Sequence, residues 1–144
     1  MYTNFKTAIN TKLATVSKIQ YLTDDPTLDN VTGFPAAVVV PSDQESDYET
    51  TTENQRVYAF DIFLLYDAKG TTISNAIDAL YDLVDDVLDL FDDDPRLTGT
   101  LTVPTGYTML DIRPTSGGWG QITERNLITA TVKVRALISY DTTA

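Results

Sequence analysis

The sequence predicts an α+β fold, in which an antiparallel sheet of four to five strands carries two helices on one face. Two segments repeat apolar residues at helical spacing, and several others alternate apolar and polar residues as strands do. Their order along the chain is helix, two strands, helix, then two or three strands, without an internal repeat. The 144 residues are predicted to form a single domain over 1–144, from which a polar arm protrudes at about 41–56.

The first helix is predicted over 3–19, where apolar side chains recur every three or four residues and fall on one face. Turn-forming residues at 23–33 lead to a short, β-branched strand at 34–40, which Pro41 closes. A longer strand follows at 57–66, with large apolar residues at every second position. These residues are Tyr58, Phe60, Ile62, Leu64 and Tyr66.

The polar arm between these strands, DQESDYETTTENQ at 43–55, contains five acidic residues and no basic one. Tyr48 is its single large apolar side chain, so the arm cannot order itself by burial. The sequence leaves two interpretations open, an extended hairpin arm or a mobile loop. A turn of a few residues would join two adjacent strands, and the extra length favours an arm that becomes ordered on a partner.

The second helix is predicted over 72–91, with an apolar stripe on one side and aspartates on the other. It ends before Pro95, because the residue that precedes a proline is driven out of helical geometry. Three further aspartates, 92–94, crowd the end of the helix, where the backbone dipole is already negative. Aspartates at this locally unfavourable position mark a place where a partner supplies positive charge. The aspartates of the polar side are Asp78, Asp82, Asp85, Asp86 and Asp89.

Two short strands are predicted at 97–103 and 108–114, then a glycine-rich loop at 115–120 and a long final strand at 126–140. The loop lacks the GK[ST] ending of a P-loop, and a strand follows it where a nucleotide-binding helix should begin. We therefore interpret it as a flexible connector. Its Trp119 either folds back on the core or anchors a neighbouring molecule.

The composition excludes most catalytic chemistry. The chain has no cysteine and no histidine, and so lacks a thiolate nucleophile, the usual general base near neutral pH and the commonest metal ligand. The aspartates do not have EF-hand spacing. A glycosidase-type carboxylate pair needs a cleft that perturbs its pKa values, and most of these acids lie on an exposed helix face. We expect no enzymatic activity, no catalytic residue, no cofactor and no bound metal.

The net charge of −11, from 10 basic and 21 acidic residues, is unevenly distributed. Residues 71–95 carry eight aspartates and no basic residue, whereas basic residues outnumber acidic ones over 108–140. A subunit polarised in this way is suited to head-to-tail contacts, which close into rings when the rotation permits. Specific DNA binding is not expected, because affinity for phosphates comes from clustered Lys and Arg. The longest apolar run, at 35–41, is too short to cross a bilayer.

Three blocks of the sequence carry a family resemblance: GFPAAVVVPSDQESDYETTTENQRVYAFDIFLLYDA, AIDALYDLVDDVLDLFDDDPRL and IRPTSGGWGQITERN. In the order and character of these elements, from about Phe5 to Tyr140, the chain resembles the tail terminator, or tail-completion, proteins of long-tailed bacteriophages. The resemblance implies a structural virion protein that forms a ring, typically of six copies, on the last ring of the tail tube. Such a ring stops tube growth and gives the finished tail its docking surface for the head.

The resemblance also implies the partners, which are further copies of this chain, the tail tube protein and the head–tail connector protein, with genomic DNA passing through the ring. It implies a place in the tail or neck of the virion, after assembly in the host bacterial cytoplasm. The family has no cofactor and no active site to transfer. The residues predicted to form partner interfaces are Asp43, Glu45, Tyr48, Glu49, Arg56, Asp92, Asp93, Asp94, Arg113, Trp119, Lys133 and Arg135.

Two alternative functions stay open at the level of sequence. One is another neck or minor tail subunit, of head–tail connector type, in the same virion. The other is an acidic DNA-mimic inhibitor, whose aspartates imitate phosphates and block a nucleic-acid enzyme. A mimic has no need of the arm at 43–55 or of a long sheet edge, and it is expected to be a monomer or dimer.

Overall fold

The computed structural model describes residues 1–25, 27, 31–42, 45–48, 53–122 and 125–141. These residues form two helices and one sheet, and the predicted α+β class is confirmed. The elements in chain order are α1 (Tyr2–Leu13), β1 (Tyr21–Thr23), β2 (Ala36–Pro41), β3 (Glu45–Tyr48), β4 (Glu53–Asp67), α2 (Ile73–Asp92), β5 (Tyr107–Ile122) and β6 (Leu127–Asp141).

The sheet has the strand order β1-β2-β4-β6-β5, and β3 pairs with β4 beside this path. Neighbouring strands are antiparallel, as predicted, except that the short β1 runs parallel to β2. The centre of the sheet is an unbroken ladder between β4 and β6, from the pair Glu53 and Asp141 to the pair Asp67 and Leu127. The long strand β5 pairs with β6 on one side and forms an edge of the described sheet.

Both helices pack on the same face of the sheet. Side chains alternate across a strand, so every second residue of β4 and β6 faces the helices. α2 lies across β4, β5 and β6, which makes it the main cover of this face. The core therefore joins the apolar sides of both helices to one sheet face. Its fully buried members include Phe5, Ile9, Leu13, Phe60, Ile62, Leu64, Leu80, Val87, Phe91, Val132, Val134 and Ile138.

The opposite sheet face, which we call the outer face, is divided into two parts. Near β1 and β2 it is apolar: Ala36, Val38 and Leu65 are buried, and Val31 and Phe34 pack against them. Towards β5 and β6 the outer face is polar and charged. The chain thus covers one part of this face with its own residues and leaves charged side chains on the other.

α1 is shorter than predicted, because it ends at Leu13 rather than at residue 19. The hydroxyl of Thr15 donates a hydrogen bond of 2.6 Å to the backbone oxygen of Lys12. Local bonds of this kind compete with the helical ladder. Val16 and Ile19 follow in turns and still pack against the core, so their apolar character reflects burial rather than helix. α2, in contrast, matches its predicted range to within one residue at each end.

The structure corrects the predicted strand at 97–103 and the predicted loop at 115–120. Residues 97–103 form turns and irregular structure, because Leu97 and Gly99 have positive φ angles of 49° and 87°, which extended strands do not allow. The glycine-rich segment belongs to β5, where a bulge between Ser116 and Trp119 absorbs the two glycines. A Cβ at Gly120 would lie 3.2 Å from Oγ1 of Thr129, so this glycine allows a close strand approach.

The backbone favours the first of the two interpretations of the polar arm. β3 pairs antiparallel with the beginning of β4, from the pair Glu45 and Val57 to the pair Tyr48 and Asn54. In this part of the arm the two segments are extended and paired with each other. Asp43 and Glu49, both predicted to form partner interfaces, lie outside the described residues.

Candidate partner interface

The acidic surface of the protein is the solvent side of α2. It faces away from the sheet, because the opposite side of the helix is buried in the core. Asp86 has a partner within the chain, since its carboxylate lies 2.8 Å from Nζ of Lys18. We call the exposed aspartates of this helix the acidic stripe. They are Asp78, Asp82, Asp85, Asp89 and Asp92.

The aspartates at the end of α2 divide into two kinds. Asp92 and Asp93 are exposed, as expected for residues that meet a partner. Asp94 instead has a cation within its own chain: its Oδ2 lies 2.8 Å from Nζ of Lys12, and its Oδ1 accepts from the backbone N–H of Thr98 at 3.0 Å. The hydrogen bond from Lys12 holds the pKa of Asp94 below its usual value. α1 therefore supplies part of the positive charge that the sequence assigned to a partner.

Three predicted interface cations share the outer face of the sheet. Arg113 on β5 lies directly across from Arg135 on β6, and Thr115 lies across from the half-buried Lys133. Arg113 is strongly exposed, at 82% for its side chain, and its Nε donates to Oδ2 of Asp111 at 2.7 Å. This hydrogen bond raises the pKa of the Arg113 guanidinium. Like charges placed directly across a sheet repel each other, and Asp111 supplies a negative group beside this pair of arginines.

These arginines border an open groove of about 370 Å³ on the outer face. Its walls carry the charged groups, and part of its lining is apolar, from β4 and β6. We call it the outer groove. Its lining residues are Val57, Asp111, Arg113, Thr115, Arg135, Ala136 and Leu137.

Arg56 makes a contact within the subunit that the sequence did not predict. Its guanidinium carbon lies 4.9 Å from the ring centre of Tyr140 and 5.6 Å from that of Tyr107. Its Nη1 donates to the hydroxyl oxygens of Tyr107 at 2.9 Å and of Tyr58 at 3.4 Å. The hydrogen bond with Tyr58, then that with Tyr107, raises the pKa of Arg56. Arg56 thus ties β4 to β5 across β6, and its role in a partner interface stays a prediction.

Trp119, the chain's single tryptophan, lies on the surface with 48% of its area exposed. Of the two sequence interpretations, the one in which the ring folds back on the core does not match this exposure. The residue is held in β5 immediately after the bulge, with Ala130 of β6 as its partner across the sheet. Two of the predicted interface residues in the arm, Glu45 and Tyr48, lie on β3.

Among the described residues, no group of three or more acidic side chains is arranged to hold a metal ion. Within the same residues, no helix is both long and apolar enough to span a membrane.

Comparison with known proteins finds no matching family model and no match among curated proteins. Among solved structures, the chain is similar to a protein of the virion of a native gene transfer agent (GTA) particle. The two chains are 15% identical with a TM-score of 0.49, and the match covers 96% of this chain and 90% of the other. A similarity of this size assigns neither a family nor a function.

Proposed function

We propose that this protein is a structural subunit of a phage-type virion, without enzymatic activity. It forms a ring, of six copies, that caps the tail tube, stops its growth and provides the docking surface for the head. The observation that carries the proposal is the opposite placement of charge on the two layers of the subunit. The acidic stripe lies on the solvent side of the helix layer, and Arg113, Lys133 and Arg135 lie on the outer face of the sheet.

This placement supports self-assembly by a physical argument. Two different surfaces with complementary charge favour a head-to-tail contact, which leaves the same two surfaces free at the ends of each growing chain. Such contacts close into a ring when the rotation between copies permits. The order of elements, which resembles that of tail terminators, supports a ring that sits on the tail tube. The tail tube protein and the head–tail connector protein are then the partners below and above.

The decisive experiment deletes the gene from the virus or phage-like element that encodes it and measures tail lengths by electron microscopy. Loss of a terminator gives tails longer than normal, without heads, and supply of the protein restores normal length. Normal tail lengths in the deletion would reject the terminator role. Normal-length tails that fail to join heads would indicate the alternative of another neck or minor tail subunit.

The exposed aspartates along α2 favour one further candidate, a DNA-mimic inhibitor. Size-exclusion chromatography with light scattering separates the two functions, since a ring has the mass of several subunits and a mimic has that of one or two. A monomer at all concentrations, together with competition against DNA for a nucleic-acid enzyme, would support the mimic.

A further inference from the structure

Trp119 is presented to solvent by ordered backbone rather than by a loop. Among the described residues, it is the most exposed of the large apolar side chains, ahead of Ile73 and Val103. The strand is paired with β6 on both sides of the bulge, at Ser116 before it and at Trp119 after it. A bulge of this kind re-aims the side chain next to it. Because the backbone at Trp119 is already held in a paired strand, binding through its indole requires no ordering of the backbone, which suits an interface anchor.

The outer groove has the chemistry that an indole ring prefers. Val57 and Leu137 supply apolar contact, and the guanidinium groups of Arg113 and Arg135 lie at its border. Its volume of about 370 Å³ is ample for one indole side chain. Guanidinium groups stack on aromatic faces, and tryptophan is the strongest partner in such cation–π contacts.

Trp119 cannot enter the outer groove of its own subunit. Its partner across the sheet is Ala130, which is buried in the core on the helix side. Residues directly across from each other share a face, and so Trp119 belongs to the helix side of the sheet. Arg135 and Leu137 are an odd number of positions from Ala130 on the same strand and point to the outer face. A tryptophan that fills the groove must therefore come from another molecule.

From these observations we infer that Trp119 of one copy docks in the outer groove of the next copy. This inference rests on the proposed ring and identifies two of the surfaces that meet in it. Because Trp119 and the outer groove are different surfaces of one subunit, the contact is heterologous and repeats from copy to copy. The indole lies on the apolar part of the groove, with the guanidinium groups of Arg113 and Arg135 against its ring.

The test uses the full chain in a concentration series that follows native mass by light scattering and tryptophan fluorescence. Because Trp119 is the single tryptophan, its emission should move to shorter wavelength as assembly proceeds. Trp119→Ala should raise the concentration needed for half-assembly by about 30-fold or more, the loss typical of a buried aromatic anchor. Leu137→Asp, which places a charge in the groove, should have a similar effect. Ile73→Ala, which trims another exposed apolar residue, is the control and should assemble normally.

A mixing experiment gives the sharpest result. The Trp119→Ala variant keeps an intact groove, and the Leu137→Asp variant keeps an intact tryptophan. If the contact is head-to-tail, a mixture of the two forms dimers with one restored contact and grows no further. Circular dichroism and melting curves establish that each variant is folded.

The possible failures are distinguishable. If the wild-type chain assembles but Trp119→Ala assembles equally well, or if the emission stays unchanged, the docking of Trp119 is wrong and the ring stands. If the mixture shows no dimer while each variant alone is impaired, the contact is not head-to-tail. A wild-type chain that stays monomeric in solution and on tail tubes rejects the ring and the docking together.

Discussion

Leu80 on α2 offers a direct test of the packing between the helix layer and the sheet. Its side chain is 0% exposed and belongs to the core that includes Phe60, Ile62 and Leu64 of β4. Leu80→Ala removes three carbon atoms from this core, and their transfer to water costs about 2.4 kcal/mol at roughly 0.8 kcal/mol for each. The cavity left behind adds to this loss, since buried Leu→Ala changes cost about 2–5 kcal/mol in total. We expect a loss of about 3–4 kcal/mol in the free energy of unfolding.

The assay is urea unfolding followed by circular dichroism, supported by thermal melting. For a chain of this size, an unfolding entropy of about 2.1 cal/mol/K per residue converts the loss into a fall in melting temperature of about 10 °C. Ile73→Ala is the matched control, because Ile73 lies on the same helix with 44% of its area exposed. That change should stay within about 0.5 kcal/mol, as surface substitutions do.

A loss below about 1 kcal/mol for Leu80→Ala, or equal losses for both variants, would refute this assignment of the buried side of α2. Intermediate variants refine the result. Leu80→Met conserves most of the volume and should cost less than about 1.5 kcal/mol. A cost as large as that of alanine would show that something other than volume is lost.

Three further predictions concern charged groups. Because the pKa of Asp94 is lowered in the folded state by Lys12, its contribution is present above about pH 4 and is lost as the pH falls through the lowered pKa. The stability gap between wild type and Lys12→Gln, up to about 1 kcal/mol, should close in acid unfolding curves over that range, and a constant gap would contradict the ion pair. Arg56→Lys should cost about 1–2 kcal/mol in urea unfolding, because lysine keeps the charge but loses the planar group that contacts the tyrosines; an unchanged midpoint would contradict that role. Reversal of Lys133 and Arg135 to glutamate should weaken assembly most at low salt, where charge acts over a longer range, and an unaltered native mass at every salt concentration would show that these charges do not guide it.

Periodicity predicted the elements whose side chains are divided between core and solvent. The apolar stripe of α2 and the alternation along 57–66 both match the buried positions that the structure shows. The same method failed where apolar residues are buried without regular backbone. Val16 and Ile19 extended the predicted first helix because they continue its spacing, yet they pack on the core from turns. Leu97 begins the predicted strand at 97–103, yet it is fully buried at a positive φ angle, which a strand does not allow.

The glycine-rich segment shows a second limit of sequence reasoning. Glycine is depleted in strands, and several glycines close together normally indicate a loop. In this protein the segment continues β5, because Gly120 lets the strand approach Thr129 closely and the bulge absorbs Gly117 and Gly118. That reason depends on which strand lies alongside, which the sequence does not state. The contact between Arg56 and the tyrosines was not predicted for the same reason: it depends on which strands lie side by side, and Tyr107 is 51 positions away along the chain.

The divided outer face connects the fold to the proposed assembly. A strand that alternates strictly would give this face a uniform polar character, yet Leu65 and Val38 are buried on it by the chain's own residues. Among the described residues, the apolar cover on this face lies near β1 and β2. The remaining part holds Arg113 and Arg135 across from each other, with Asp111 in an ion pair with Arg113. A neighbouring copy that brings an aromatic ring or aspartates to these arginines adds favourable contacts to them, so the charge on this part of the face is compatible with the proposed ring.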